Sequence, residues 1–469
     1  MSVLILILAL ALLMTVAYRG FSVIVGAPLC AMLAVLLTLG PGAMFPLFSG
    51  VFMEATVRFV AQYLPVFLLG ALFGKMMELT GAAASISGWI VRVLGEKHTM
   101  GAVVLACAVL TYGGVSLFVV AFAVYPFAKA LFRKSNIAER LIPGTIALGS
   151  FTFTMDALPG TPQIQNVIPT TFFGTNLYAA PVLGCCGALF VLTCGMLYME
   201  KRRRDVGPEE WAPVSAEEEL PEDDTLPSPI LAFLPLLTVG IVNLAFTRYL
   251  KSTGVKELSL TSFGLDPAAL PPGLNLEVPM GKMTAIYSIE VALMCGLLVA
   301  TAVGFRRLKG QVKQGVDKAV GGAMLAALNT GSEYGFGAVI AAMPGFAVVK
   351  TALGNSFSNP LLNEAVSVNI LAGITGSASG GMSIALAAMA ENFKAAAAAA
   401  NISPEVLHRV ASMASGGMDT LPHNGAVITL LMITGMTHRQ SYKDIFAITC
   451  IKTVAVFVVI AIYSLTGLV

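Results

Sequence analysis

Charge is scarce in this chain. Asp, Glu, Lys and Arg together make up 12% of its 469 residues, roughly half the share found in soluble domains. With 57% hydrophobic residues and a mean hydropathy of +0.82, that scarcity excludes an ordinary water-soluble fold. No basic patch stands out and the net charge is only +2, so nucleic acid is not an expected partner. H-E-x-x-H and G-x-S-x-G are missing, and GALFGK falls short of the P-loop spacing. The sequence therefore supports no enzyme, metal site or cofactor. The seven cysteines (Cys30, Cys107, Cys185, Cys186, Cys194, Cys295, Cys450) lie in apolar runs without a C-x-x-C, and read as small core residues. The first apolar run lacks a basic start and a cleavage site and is followed at once by a second, which predicts a retained helix rather than a leader.

What the chain has in abundance is long apolar runs: Met1 to Tyr18, Phe21 to Leu39, Val115 to Phe132, Ala179 to Tyr198, Ile230 to Tyr249, Met283 to Gly304 and Ile445 to Leu468. Each approaches the ~20 residues that cross a bilayer as a helix. Barrels would alternate at every second residue, so the reading is an all-α polytopic membrane protein of roughly eleven or twelve transmembrane helices. The polar segment KRRRDVGPEEWAPVSAEEELPEDDT begins with four cations directly after an apolar run and reads as a cytoplasmic linker, whereas residues 250–282 read as an external loop.

The linker separates two halves that match at four stations. Phe73-Gly74 and Phe336-Gly337 lie 263 residues apart, and are expected to begin helix-breaking stretches. G-G-x-S recurs at Gly113 and Gly380, Asn-Ile at Asn136 and Asn401, and M-D-x-L-P at Asp156 and Asp419. Constant order and near-constant offset indicate an internal repeat. Cations flank the first G-G-x-S segment but not the second, and follow the second M-D-x-L-P but not the first. That is the pattern of an inverted-topology repeat. The expected organisation is N-terminal scaffold helices over 1–60, a first repeat over 61–199 and the linker over 200–228. Connecting helices over 229–320 and a second repeat over 321–469 follow. Each repeat is expected to hold a re-entrant hairpin (around 100–131 and 364–396) and a broken helix (around 140–175 and 405–436).

The hairpin tips carry Gly113, Gly114 and Ser116 in one half and Ser377, Ser379, Gly380 and Gly381 in the other. Glycine permits the turn and lets a ligand approach backbone N–H groups, which suit a carboxylate; tight helix packing is the alternative. Pro159 and Pro422 break the helices that follow. Asp156 and Asp419 then have two readings, proton carrier or cap of the second half-helix. Thr161, Gln163, His423 and Asn424 follow the breaks as candidate substrate ligands, with His423, taken as the only histidine in an apolar context, also a candidate proton relay. Glu333, at a Gly-rich break without an evident partner, is a further proton-coupling candidate. Lys75 with Glu78, and Glu391 with Lys394, have the spacing of i, i+3 ion pairs.

The blocks FGKMMELTGAA, YGGVS, FTFTMDALPGTPQIQNVIPTTFFGT, TGSASGGMSIAL and MDTLPHNGAVITLL resemble the gluconate permease (GntP-type) family of organic-acid:proton symporters, within the ion-transporter superfamily. The resemblance runs over most of both repeats, and includes a 3-hydroxybutyrate permease branch. It implies uptake of a small hydroxy-monocarboxylate with protons (sodium as the alternative coupling ion, a passive uniporter or channel as another reading). It also implies an elevator-like homodimer in a bacterial inner membrane. No arginine is read at the tips and breaks to clamp a dicarboxylate.

Overall fold

The structure, a computed structural model, describes residues 2–19, 21–94, 98–115, 117–208, 226–264, 266, 276–308, 312–346, 348, 357, 359–375, 378–417, 420–422 and 424–469. Two N-terminal helices, α1 (Ser2–Tyr18) and α2 (Val23–Leu39), precede α3 (Glu54–Leu79) and α4 (Ala82–Leu94). The first hairpin consists of α5 (Thr99–Tyr112) and α6 (Leu117–Lys134). A helix in three pieces follows, α7 (Ile142–Ser150), α8 (Phe153–Asp156) and α9 (Ile164–Phe173), and then α10 (Pro181–Val206). Helices α11 (Pro229–Ser252) and α12 (Met280–Val303) pack on each other across a two-stranded antiparallel ribbon, Glu257–Ser259 with Glu277–Pro279. The second half runs α13 (Val312–Ala342), the hairpin α14 (Pro360–Thr375) and α15 (Ala378–Ala399), the broken pair α16 (Pro404–Gly417) and α17 (Gly425–Ile433), and α18 (His438–Thr466).

Hydropathy accounts for this predominantly helical outcome, since in lipid a helix satisfies its own backbone. Among the described residues, five helical stretches, including α10, α11 and α18, are long and apolar enough to cross a membrane. The first arms of the hairpins are shorter. At 1.5 Å per residue, the 14 residues of α5 and the 16 of α14 reach only about 21 and 24 Å, against a hydrocarbon thickness of about 30 Å.

Both halves use the same internal pairings. α5 packs on α7, and α14 packs on α16. Across the halves the partners exchange: the second arm α6 lies on α17, and the second arm α15 lies on α9. The Asn-Ile stations turn out to be identical helix ends. Asn136 (φ 50°) and Asn401 (φ 55°) are both left-handed. Ile137 N–H returns to Phe132 O at 2.9 Å and Ile402 N–H to Ala397 O at 2.8 Å. This is the cap in which asparagine substitutes for glycine.

Phe73-Gly74 and Phe336-Gly337 break nothing. They lie inside the continuous helices α3 and α13, which pack along each other. The glycines of N-T-G-S-E-Y-G-F-G serve contact instead: a Cβ on Gly335 would stand 2.7 Å from Phe52 O, and one on Gly337 2.9 Å from Ile384. Of the cysteines, Cys30 and Cys107 are buried as expected, whereas Cys185 and Cys450 are exposed. The two expected i, i+3 ion pairs form, Lys75 with Glu78 at 2.5 Å and Lys394 with Glu391 at 2.6 Å.

Candidate functional site

A helix broken inside an apolar interior leaves backbone groups that need partners from elsewhere in the protein. At the first break the partners come mostly from α16. Arg409 Nη1 donates to Asp156 O at 3.0 Å, and its Nη2 donates to Ala179 O at 2.7 Å. Ser412 Oγ donates to the same Asp156 carbonyl at 2.8 Å. Asn166, on α9, donates to Thr161 O and Leu177 O, each at 2.9 Å. Its Oδ1 accepts from Arg409 Nη1 at 3.2 Å and from His408 Nε2 at 3.0 Å. With Nε2–H donating, His408 Nδ1 is the natural acceptor for the Thr175 hydroxyl at 2.6 Å. His408, Arg409 and Asn166 are all fully buried. Gly160, in the break, has φ +84°, and a Cβ there would stand 2.6 Å from the Tyr178 ring, so only glycine fits on both counts.

The first hairpin tip is clamped to this break. Gln163 Nε2 donates to Thr111 O at 2.8 Å and Val115 O at 3.3 Å, and Tyr112 Oη donates to Pro159 O at 2.9 Å. A Cβ on Gly114 would lie 3.1 Å from Pro162. In the second half the carbonyl of the matching proline is again satisfied from outside, with His438 Nε2 donating to Pro422 O at 2.9 Å. Tyr442 Oη donates to Thr420 O at 3.2 Å.

The two halves meet at Gly416-Gly417, the last turn of α16. A Cβ on Gly416 would fall 1.9 Å from Asp156 Oδ2, and one on Gly417 would fall 1.8 Å from Asn369 Oδ1 of α14. The buried acid of the first break and an amide of the second hairpin thus bracket the start of the second break. Lys452, in the middle of α18 and 3% exposed, donates to Phe151 O at 2.9 Å beside the first break.

The sequence-predicted residues fall as follows. Gly113 is buried against Leu236 of α11. Thr161 is fully buried, and its hydroxyl has no hydrogen-bond partner among the described residues. The Gln163 amide is committed to the first tip. Ser379, at the second tip, lies 3.4 Å from the Thr330 hydroxyl of α13, one turn before Glu333. Glu333 is buried within unbroken helix. Gly381 sits against α14, where a Cβ would meet backbone atoms of Ala372 at 2.2 Å; Gly380 beside it is also buried. Ser116, Ser377, Asp419 and His423 lie outside the described residues.

The capping expectation for Asp156 does not hold, because Asp156 closes α8 and the N-cap of α9 is Gln163, without a side-chain cap. The cap of the other second half-helix is Asn424, whose Oδ1 accepts from Ala426 N–H at 2.7 Å and Val427 N–H at 3.1 Å. Asn424→Ala is expected to cost about 0.5–2 kcal/mol, visible as a lower thermal midpoint in detergent; an unchanged midpoint would remove the cap's energetic role.

His408, Arg409, Asn166, Asn369 and Lys452 were not anticipated as site residues. His408 also corrects the reading of His423 as the only histidine in an apolar context. Arg409 is a buried arginine beside the first break, where none was expected. The available signals were a lone lysine inside an apolar run and a His-Arg pair amid small residues ahead of the second break.

Beside the first break lies a cavity of about 490 Å³ between α5 and α11. Apart from Tyr112, Thr154 and Asn243, its lining is apolar or glycine.

A family profile described as GntP family permease matches residues 53–466. An uncharacterized transporter of Bacillus subtilis, YxjC, is 56% identical over 480 residues, covering 100% of both chains. Among solved structures, MtrF of Neisseria gonorrhoeae, described with a class of antimetabolite efflux pumps, superposes with a TM-score of 0.56 at 13% identity. The match covers 88% of this chain and 83% of that one. The YdaH transporter of Alcanivorax borkumensis gives a TM-score of 0.57 at 15% identity, over 88% of each chain. At those identities the two structures share the fold.

Proposed function

The chain belongs to the GntP family of permeases, multi-pass membrane transporters rather than enzymes, and from that membership we propose that it is a secondary symporter importing a small hydroxy-monocarboxylate with protons. Acids of the size of 3-hydroxybutyrate or lactate are the preferred class, with gluconate-like acids next. The observation that carries this reading is the first break. There, side chains from the other half hold an unwound segment open in an apolar interior, next to a hairpin tip. Unwound backbone at such a depth suits an anionic substrate and a coupling ion.

The substrate size follows from how the cations are used. Arg409 spends its donors on carbonyls of the broken chain, so it is not an open clamp for a second carboxylate. The apolar cavity beside Gly160 supports an aliphatic body, and Thr161, whose buried hydroxyl has no hydrogen-bond partner among the described residues, is a proposed ligand for a substrate hydroxyl or carboxylate. The tips (Gly113, Gly114 and Ser116; Ser377, Ser379, Gly380 and Gly381) complete the proposed site, with Gln163, His423 and Asn424 behind them. Asp156, Asp419, His423 and Glu333 are proton-coupling candidates. An inverted relation of the halves, an elevator-type movement, a homodimer and a bacterial inner membrane belong to the same proposal. The matched pairings of α5 with α7 and α14 with α16 support it.

The test is uptake into proteoliposomes of labelled 3-hydroxybutyrate, lactate and gluconate. An inward proton gradient should drive accumulation that a protonophore abolishes. Accumulation with a sodium gradient alone would transfer the coupling to Na⁺, and equilibration without accumulation would make the protein a passive uniporter.

A further inference from the structure

Helix α14, the first arm of the second hairpin, carries one ionisable side chain. Glu364 is fully buried, and neither of its oxygens has a hydrogen-bond partner among the described residues. Ser367 Oγ, at i+3 from Glu364 and i+4 from Asn363, and Asn363 Oδ1 are likewise without partners among the described residues. Such a cluster is unusual, because buried polar groups are ordinarily bonded.

The charged groups on the helices packed against α14 are engaged elsewhere. On α15, Glu391 and Lys394 pair with each other. On α16, Glu405 accepts from Ala180 N–H, while His408 and Arg409 hold the first break. On α18, Asp444 is held by Arg202 at 2.6 Å and Tyr198 at 2.8 Å, and Lys452 donates to Phe151 O. His438, Arg439 and Lys443 lie exposed in the first turns of α18. Tyr442, Cys450 and Tyr463 are the remaining titratable residues of α18, and α1 carries no charged residue. An ionised carboxylate without a partner in such surroundings is costly.

We propose that Glu364 is the group that carries the coupled proton, an assignment that rests on the symport reading above. The carboxyl is positioned to respond to substrate. Five residues further along α14, Asn369 abuts Gly417 at the second break, and at the tip α14 meets Gly381 of α15. Displacement of this arm admits water to Asn363, Glu364 and Ser367 together, and a hydrated carboxyl ionises. One O–H bond forms from a proton of the acidic side and breaks to water on the other side. No other reactant is consumed.

The experiment is Glu364→Gln in proteoliposomes. Exchange of labelled for unlabelled 3-hydroxybutyrate, which needs no net proton movement, should stay within about twofold of the parent, while pH-driven accumulation should fall at least about tenfold. Substrate-induced proton uptake, followed with an entrapped pH dye, should vanish with it. Accumulation that persists in a folded Glu364→Gln protein overturns the assignment, and so does loss of exchange along with accumulation. If the glutamine variant does not fold, Glu364→Asp decides. It should keep coupled uptake with a displaced pH profile, and a profile identical to the parent's overturns the assignment. Parent protein that accumulates no acid under a pH gradient brings down the symport reading itself, whereas accumulation equal in parent and variant removes only Glu364.

Discussion

Replacing Arg409 by leucine is expected to abolish most folded protein. Its guanidinium is fully buried and donates to Asp156 O, Ala179 O and Asn166 Oδ1, distances of 2.7–3.2 Å. Leucine leaves Ala179 O without a donor among the described residues, at about 1–3 kcal/mol for a buried group left unsatisfied, while Asp156 O and Asn166 Oδ1 each lose one of two donors and keep Ser412 and His408. Together with the lost packing of a large, fully buried side chain, that is a sizeable fraction of a typical total stability of about 5–15 kcal/mol. The check is thermal unfolding in detergent followed by size exclusion, where a fall in midpoint of more than about 10 °C is expected. Lysine at this position should fall between the two, because an ammonium keeps the charge but not the planar fork. A leucine variant as stable as the parent would show that the break finds its donors elsewhere, and with them would go the view of α16 as the brace of the first break.

The second large effect concerns Gly381. An added Cβ would lie 2.2 Å from the backbone of Ala372, and backbone on both sides leaves no flexible side chain to yield. Gly381→Ala must push α14 and α15 apart, with an overpacking cost of about 1–3 kcal/mol and occasionally more. Because the displacement starts at the tip, uptake should fall further than stability. Gly321→Ala is the control: nothing lies within 4 Å of a Cβ at that position on α13. There alanine should be neutral or stabilising by up to about 1 kcal/mol, the helix-propensity difference. Equal behaviour of the two variants in uptake and in thermal midpoint would refute the close-contact role of Gly381.

Membrane class and helical fold were readable in the sequence because each rests on local chemistry. An apolar run of helix length has few other solutions in lipid, and a proline ends a helix wherever it stands. The matched Asn-Ile stations were legible for the same reason, since a left-handed cap is decided by two or three residues. What could not be read was which side chains pay for the breaks. Arg409 reaches Asp156 O across 253 positions of chain, and Lys452 reaches Phe151 O across 301. No periodicity or composition encodes those partners.

The same limit explains the errors at the glycines and acids. Glycine next to phenylalanine looks identical in sequence whether it breaks a helix or seats one, and only the neighbour decided; Ile384 of α15 against Gly337 made that one a seat. Asp156 was a capping candidate by position, yet the turn after Pro159 placed Gln163 at the start of α9 and left the acid against Gly416. Glu364 stood at the start of the expected second hairpin, with no role read for it, and it became a buried carboxyl only once α14 was packed between α15 and α16. The sequence by itself determined where the chain must be helical and where it must break, because those depend on a residue and its near neighbours. Tertiary structure alone decided which distant donors complete each break and which acids lose contact with water, because burial and hydrogen-bond partnership are properties of packing between elements far apart in the chain.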